Sequence, residues 1–219
     1  NTGMKSHYRV VVIGGGVVGA SVIYHLAKLG WTDVCLLERS VLTAGSSWHA
    51  AGGIHALNAD PNIAALQAYT IDLLSEIEEE SGHNIGLHMT GGLTMAGTPD
   101  RWEWLQSAYR IFQSIGISDC RLVSPEEAGE LNPIMSTEGL LGGMWADREG
   151  YVDTTGTVHA YAIAARKRGA EYHEHTKVEA LEQTRDGWRV ITDKGVITCE
   201  HVVNAAGLWA KQVGRMAGI

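Results

Sequence analysis

A glycine-rich turn between a strand and a helix constrains this sequence more than any other feature. Residues 14–19 read Gly-Gly-Gly-Val-Val-Gly, which matches G-x-G-x-x-G. The β-branched run 8–13 precedes the turn, a helical pattern over 20–29 follows it, and Glu38 ends the next apolar strand. This order of strand, turn, helix, strand and acid predicts a right-handed βαβ unit that binds a dinucleotide.

Each residue of this fingerprint has a physical role. Gly14 allows the tight turn, Gly16 lets backbone amides approach a pyrophosphate, and Gly19 lets the helix pack close to the sheet. Val17 and Val18 lie at the helix N-terminus, where unpaired N–H groups and the positive end of the dipole attract phosphate. A glycine-rich turn that binds nothing is the alternative interpretation.

The residues after the fingerprint bear on which dinucleotide is bound. A carboxylate at Glu38 can accept hydrogen bonds from ribose hydroxyls and would repel a 2′-phosphate, which disfavours NADP. The fingerprint occurs once, and regular βα repeats do not follow it. Instead come a loop over 42–57, a helix-rich insertion, a meander and Asn-Ala-Ala-Gly at 204–207. This layout favours FAD over NAD, with Ala206 and Gly207 closing on the cofactor.

The hydrophobic periodicity and the capping residues predict the remaining elements. Helices are expected over 61–81, 98–115, 124–132 and 154–168, the last capped by Asp153. Strands are expected over 87–96 and 140–145, in a meander over 171–184, 188–192 and 196–199, and at 202–203. The predicted fold is α/β, a three-layer Rossmann-like FAD-binding domain with an inserted substrate subdomain. Residues 1–85 and 151–219 would form the FAD-binding domain, and residues 86–150 would form the start of the inserted substrate subdomain.

Composition excludes several classes of protein. The net charge is −8 and no basic run is present, so no nucleic-acid partner is expected. The longest apolar runs are far shorter than the roughly 18–20 residues of a membrane span. The three cysteines, Cys35, Cys120 and Cys199, lack metal or disulfide spacing and are expected to be reduced and buried.

The start of the sequence and its cysteines bear on localisation. No signal peptide opens the chain, and we expect Met4 to be the natural start, with residues 1–3 added or left by processing. Reduced thiols and that start predict the cytoplasm, or the mitochondrial matrix if a transit peptide has been removed.

Other polar and aromatic residues are weaker candidates. His173 and His175 lie two apart on a predicted strand, but no third ligand is evident, so no metal site is predicted. Trp102 and Trp104 fall on different faces of a helix, which favours packing over substrate binding.

Five segments carry a resemblance to a known family. They are GGGVVG at 14–19, LLER at 36–39, LTAGSSWHAAGG at 42–53, GYVDT at 150–154 and VVNAAGLWA at 202–210. The whole chain resembles the N-terminal part of dimethylglycine and sarcosine dehydrogenases, within the D-amino-acid-oxidase-like flavoproteins. Members are much longer, so we expect this chain to be part of a longer protein. Its catalytic residues would lie beyond Ile219, and a tetrahydrofolate site could follow.

The resemblance assigns roles to individual residues. It implies that His49 forms a covalent bond to the 8α-methyl carbon of FAD. The alternatives are a histidine that only packs against the flavin and an ordinary loop histidine. The resemblance implies that the backbone of Val178 contacts adenine. By its position after Glu38, Arg39 is expected either to pack on adenine or to be a solvated charge. The hydroxyl and amide groups of Ser46 and Ser47 would either bond flavin phosphate or ribitol oxygens or serve only to form the turn. The remaining predicted cofactor contacts share the same loop: Gly45, Trp48, Ala50, Ala51, Gly52 and Gly53.

The resemblance also implies the reaction. It is the oxidative N-demethylation of an N-methyl glycine, with hydride transfer to flavin N5 and formaldehyde or methylene-tetrahydrofolate as the one-carbon product. Electrons would pass to an electron-transfer flavoprotein or to oxygen. The alternatives are another amine or amino-acid oxidase of the same superfamily, and a flavin-binding piece without activity.

Overall fold

A computed structural model describes residues 3–219, so Asn1 and Thr2 of the expected N-terminal extension lie outside the described residues. In chain order, the first half contains β1 (His7–Ile13), α1 (Val17–Lys28), β2 (Val34–Leu37), β3 (Gly53–Ile54), α2 (Pro61–Ser81), β4 (Gly92–Ala96) and α3 (Pro99–Ser114). The second half contains β5 (Cys120–Val123), α4 (Pro125–Leu131), β6 (Gly142–Ala146), β7 (Gly150–Tyr151), α5 (Thr154–Lys167), β8 (Glu171–His173), β9 (Val178–Thr184), β10 (Gly187–Thr192), β11 (Gly195–Asn204) and α6 (Ala210–Met216).

The chain divides into two compact units. The first contains the residues up to Ala51 together with 77–85 and 153–219, and the second contains 52–76 and 86–152. Residues 52–76 therefore group with the insertion, whereas the sequence assigned them to the cofactor domain. The functional division into a cofactor domain and a substrate subdomain remains a prediction.

The first unit is built on a six-stranded sheet in the order β8-β2-β1-β11-β10-β9. The pairs β8–β2, β2–β1 and β1–β11 are parallel, whereas β11–β10 and β10–β9 are antiparallel. The fully buried strand β2 pairs with β1 over Val10↔Val34 to Ile13↔Leu37. The predicted α/β fold and its βαβ unit are confirmed.

Buried side chains on both faces of this sheet stabilise it. Gly19 on α1 approaches Leu36, so Leu36 marks the face that α1 covers, and α5 packs on α1. Side chains alternate along a strand, so Cys35 and Leu37 point to the opposite face. They cluster there with Val178 and with Val213 of α6. Helix α1 thus covers one face of the sheet, and α6 packs on the other.

The meander differs from its prediction. The run 171–184 is two strands, because β8 pairs in parallel with β2 and His175 then adopts a left-handed backbone (φ 51°). The predicted strands at 196–199 and 202–203 are one continuous strand, β11. Its first half pairs with β10 and it also runs parallel to β1, so one strand joins the antiparallel and parallel parts of the sheet.

The predicted helix starts are confirmed by their caps. The Thr98 side chain accepts from the Arg101 amide at 3.3 Å. Ser124 and Glu127 form a complete capping box. The Asp153 carboxylate accepts from Gly156 N at 2.7 Å, which confirms capping as its role.

The second unit contains a three-stranded sheet in the order β4-β6-β5 and the pair β3–β7. Strand β5, which sequence analysis missed, pairs antiparallel with β6 from Cys120↔Ala146 to Val123↔Gly143. The core of the second unit centres on the buried Leu105, Phe112 and Met144. Among residues 3–219, no helix is long and apolar enough to cross a membrane.

Candidate functional site

The carboxyl ends of three adjacent parallel strands meet at one edge of the first unit's sheet. Gly14 follows β1, Glu38 follows β2 and Ala205 follows β11. Gly14 N donates to Leu37 O at 3.0 Å, and Ala205 N donates to Ile13 O at 2.9 Å. The strand order thus gathers residues from both ends of the chain at the edge where α/β proteins bind their ligands.

Close packing around the glycine turn requires residues without a side chain. Gly14 has φ 117°, and a Cβ there would lie 2.8 Å from the carbonyl carbon of Ala205 and nearer to its oxygen. A Cβ on Gly19 would collide with the carbonyl oxygen of Gly14. A Cβ on Gly16 would meet only the Ser47 hydroxyl, at 3.2 Å, so this glycine keeps the cradle at the start of α1 open. The turn therefore suits a backbone-bound phosphate group.

Glu38 is held in place by backbone amides. Its carboxylate accepts from Gly15 N and from Ser40 N, each at 2.8 Å. Its own carbonyl oxygen accepts from Thr176 N at 2.8 Å. The carboxylate is thereby fixed beside the glycine turn, and each oxygen retains capacity for a further hydrogen bond, as a ribose diol requires.

The loop after Glu38 is bound to the glycine turn at two points. Thr43 N donates to Gly15 O at 2.9 Å, and Val17 N donates to the Ser47 hydroxyl at 3.0 Å. Residues 47–49 form a short 3-10 helix that packs against α5. The rings of Trp48 and His49 within it meet edge to face, with centroids 4.9 Å apart.

The residues after β11 form the opposite wall. The Arg39 guanidinium lies over the Trp209 ring, 4.0 Å from its centroid. A Cβ on Gly45 would lie 3.6 Å from the same ring. Arg39 and Gly45 were predicted to contact the cofactor. Trp209 lies in the segment 202–210 that carries the family resemblance, but it was not predicted as a contact; the signal available for it was an aromatic residue two positions after the Asn-Ala-Ala-Gly turn.

These elements enclose a cavity of about 590 Å³. Twelve of the predicted residues line it: Gly14, Gly16, Val17, Val18, Glu38, Arg39, Gly45, Ser46, Ser47, Val178, Ala206 and Gly207. The lining also contains residues that sequence analysis did not name, including Ala44, Thr176, Lys177, Trp209, Gln212 and Met216. The glycine cradle, the fixed carboxylate and the apolar wall fit a dinucleotide.

Seven predicted residues do not line this cavity. Gly19 is buried and approaches Gly14 and Leu36. Trp48, His49, Ala50 and Ala51 continue the chain beyond its edge, and all four are exposed. Gly52 and Gly53 belong to the second unit, where Gly53 pairs with Tyr151.

The cysteines and tryptophans that were weaker candidates contribute to the packing of the two units. Cys35, Cys120 and Cys199 are buried and unpaired, as predicted, and burial raises the pKa of Cys35 to about 12. Trp102 and Trp104 pack against the second unit's core. Within the described chain, no group of three or more His, Cys, Asp or Glu side chains could hold a metal ion.

The fold and the site define an α/β protein built to bind a dinucleotide. Residues 9–219 match the family described as FAD dependent oxidoreductase (DAO), and the chain belongs to it. The predicted family resemblance is thereby confirmed, and the assignment supports FAD as the dinucleotide.

Individual relatives agree with this assignment. Over 217 residues the chain is 37% identical to mitochondrial dimethylglycine dehydrogenase of Rattus norvegicus, covering 98% of this chain and 25% of the relative. It is also 37% identical over 223 residues to mitochondrial sarcosine dehydrogenase of Homo sapiens, covering 99% and 24%. The crystal structure of L-proline dehydrogenase from P. horikoshii matches with a TM-score of 0.90 at 28% identity, covering 99% of this chain and 57% of that one. The chain thus spans about a quarter of the two relatives' length.

Proposed function

We propose that this chain is the FAD-binding part of an enzyme that oxidatively demethylates an N-methyl glycine, dimethylglycine or sarcosine. The observation that carries the proposal is the cavity at the ends of β1, β2 and β11, with a Ser-Trp-His loop tied to its glycine turn. The 37% identity to dimethylglycine and sarcosine dehydrogenases supports this substrate class.

The described residues divide the work of holding the cofactor. The glycine turn and the start of α1 would bind the pyrophosphate, and Glu38 would bind the ribose hydroxyls. His49 would hold the flavin through a bond from an imidazole nitrogen to the 8α carbon. Bound FAD supplies the two-electron oxidant for the C–H bond next to the substrate nitrogen. The protein's contribution is therefore positioning and retention of the cofactor.

A second candidate function is the oxidation of a different amine or amino acid without demethylation. It is favoured by the structural match to L-proline dehydrogenase, which covers 99% of this chain. Either function would place the dinucleotide in the cavity described above, so the substrate and product assays below separate them.

The partners and the location are part of the same proposal. We propose an electron-transfer flavoprotein or dioxygen as electron acceptor, and tetrahydrofolate as one-carbon acceptor. The dimethylglycine and sarcosine dehydrogenases are named as mitochondrial, which favours the matrix over the cytoplasm.

The test uses the purified protein with its complete natural sequence. It is precipitated in acid, and flavin absorbance is measured in the pellet and the supernatant. The native protein is then mixed anaerobically with dimethylglycine, sarcosine or L-proline, and flavin bleaching and formaldehyde are measured. We expect flavin in the pellet, bleaching by an N-methyl glycine and release of formaldehyde.

Matched variants separate the parts of the proposal. His49→Ala should move the flavin to the supernatant, whereas His55→Ala, at an exposed histidine six residues later, should leave it in the pellet. Bleaching by L-proline alone, without formaldehyde, would establish the second candidate instead. Absence of flavin from the native protein would contradict both functions.

A further inference from the structure

The N-terminus of α1 is capped by a residue from a distant part of the chain. The N-cap residue is Gly16, which has no side chain to cap the helix. The hydroxyl of Ser47, 30 residues later, accepts from Val17 N at 3.0 Å instead. Ser46 is exposed and makes no capping bond. The two adjacent serines therefore differ in structural role, although the sequence makes them equivalent.

Ser47 is also coupled to His49 through the backbone. Both residues belong to one 3-10 turn, in which Ala50 N donates to Ser47 O at 3.3 Å. A second bond, from Thr43 N to Gly15 O at 2.9 Å, joins the same loop to the glycine turn. A displacement of the Ser47 backbone relative to α1 would therefore be transmitted to His49 through this turn.

The Ser47 hydroxyl can make two hydrogen bonds at once. Its oxygen accepts from Val17, and its O–H remains available as a donor. Ser47 lines the cavity, so this donor is available to an anionic group held at the start of α1.

We propose that Ser47 is a positioning residue that sets His49 at a fixed distance from the phosphate-binding turn, and that Ser46 has no such role. This inference rests on the proposed covalent function of His49. The bond would replace an imidazole N–H and an 8α C–H bond, and the two hydrogens and their electrons would reduce dioxygen to hydrogen peroxide. Ser47 takes no part in this chemistry and acts only through the position of His49.

The test compares Ser47→Ala, Ser46→Ala and Ser47→Thr. In the His49→Ala background, which allows removal of the flavin, hydrogen exchange is measured at the Val17 amide and over 48–50. Loss of the cap in Ser47→Ala should speed exchange at Val17 by about fivefold. When His49 is present and FAD is saturating, covalent attachment of flavin in Ser47→Ala should be roughly tenfold to 100-fold slower than in the parent. The reason is that a reacting group displaced from its productive position reacts more slowly. Ser46→Ala should match the parent in hydrogen exchange at Val17 and over 48–50, because Ser46 makes no capping bond. Ser47→Thr, which restores the hydroxyl, should recover both properties.

The outcomes distinguish this inference from the function on which it rests. If the parent protein releases all its flavin in acid, the covalent function of His49 fails. In that case, hydrogen exchange alone tests whether the Ser47 hydroxyl positions the loop at 48–50. Unchanged exchange at Val17 and over 48–50 in Ser47→Ala would overturn the link. With a covalent parent, an attachment rate in Ser47→Ala equal to that of the parent at saturating FAD would overturn the positioning role.

Discussion

Substitution of Gly14 separates two reasons for a glycine at the end of β1. An alanine there is disfavoured by its φ of 117° and by collision with the backbone of Ala205. Gly30 is the matched control: it has φ 90°, and a Cβ there would meet nothing within 4 Å. Gly30→Ala therefore carries backbone strain alone, whereas Gly14→Ala carries strain and a clash.

The magnitude follows from this comparison. A residue held in an unfavourable backbone region costs about 1–3 kcal/mol, and this contribution is common to both variants. Relief of the Gly14 clash must separate the ends of β1 and β11, and overpacking of this kind costs about 1–3 kcal/mol more. Gly14→Ala should therefore lose about 1–3 kcal/mol more unfolding free energy than Gly30→Ala.

The assay is urea unfolding followed by far-ultraviolet circular dichroism. Both variants are made in the His49→Ala background and freed of flavin, because a ligand bound only by the native state would add to the measured stability. FAD titration of the same proteins should show weak binding only for Gly14→Ala, since Ala206 and Gly207 line the cavity. Equal losses of stability in the two variants, with equal affinity for FAD, would refute the role assigned to the Gly14–Ala205 contact.

Two further predictions concern titratable groups. Burial and the neighbouring charge of Asp119 raise the pKa of Glu149 to about 7, so this carboxyl destabilises the fold as pH rises from its unfolded pKa near 4.5 towards 7. Glu149→Gln should accordingly raise the Tm relative to the parent at pH 8 but not at pH 4, and a constant difference across this range would contradict the assignment. Burial raises the pKa of Cys120 and of Cys199 to about 11, and that of Cys35 to about 12. Iodoacetamide at pH 8 should therefore add no mass to the native protein and three adducts in urea; rapid native labelling would show that a thiol is accessible.

The structural features that could be predicted from the sequence are those that depend on residues close together in the chain. The fingerprint at 14–19 and the helix caps at Thr98, Ser124 and Asp153 each depend on a few adjacent side chains. Pairings between distant residues were not predicted. Strand β8 pairs with β2 across more than 130 residues, and a change of backbone at His175 separates it from β9. No local pattern in 171–184 marks that change, since histidine there is compatible with a continuous strand.

Twelve of the lining residues could be identified from the sequence, because most of the segments that contain them directly follow a strand. In a parallel sheet the carboxyl ends of neighbouring strands meet, so Gly14 after β1 and Glu38 after β2 had to lie together once the βαβ unit formed. Ala206 and Gly207 after β11 were predicted to contact the cofactor. Placing Trp209 beside Arg39, however, required knowing that β11 lies beside β1, which joins segments about 190 residues apart. The hydrogen bond from Val17 N to the Ser47 hydroxyl could not be predicted for a different reason. Either of the two adjacent serines satisfies the sequence pattern, and only the geometry of the loop selects Ser47. Once β11 is placed, its turn faces the glycine turn, and Arg39 after β2 meets Trp209 after β11. The site is therefore a consequence of strand order, and a change that disturbs the β1–β11 pairing should weaken FAD binding even where it alters no lining residue.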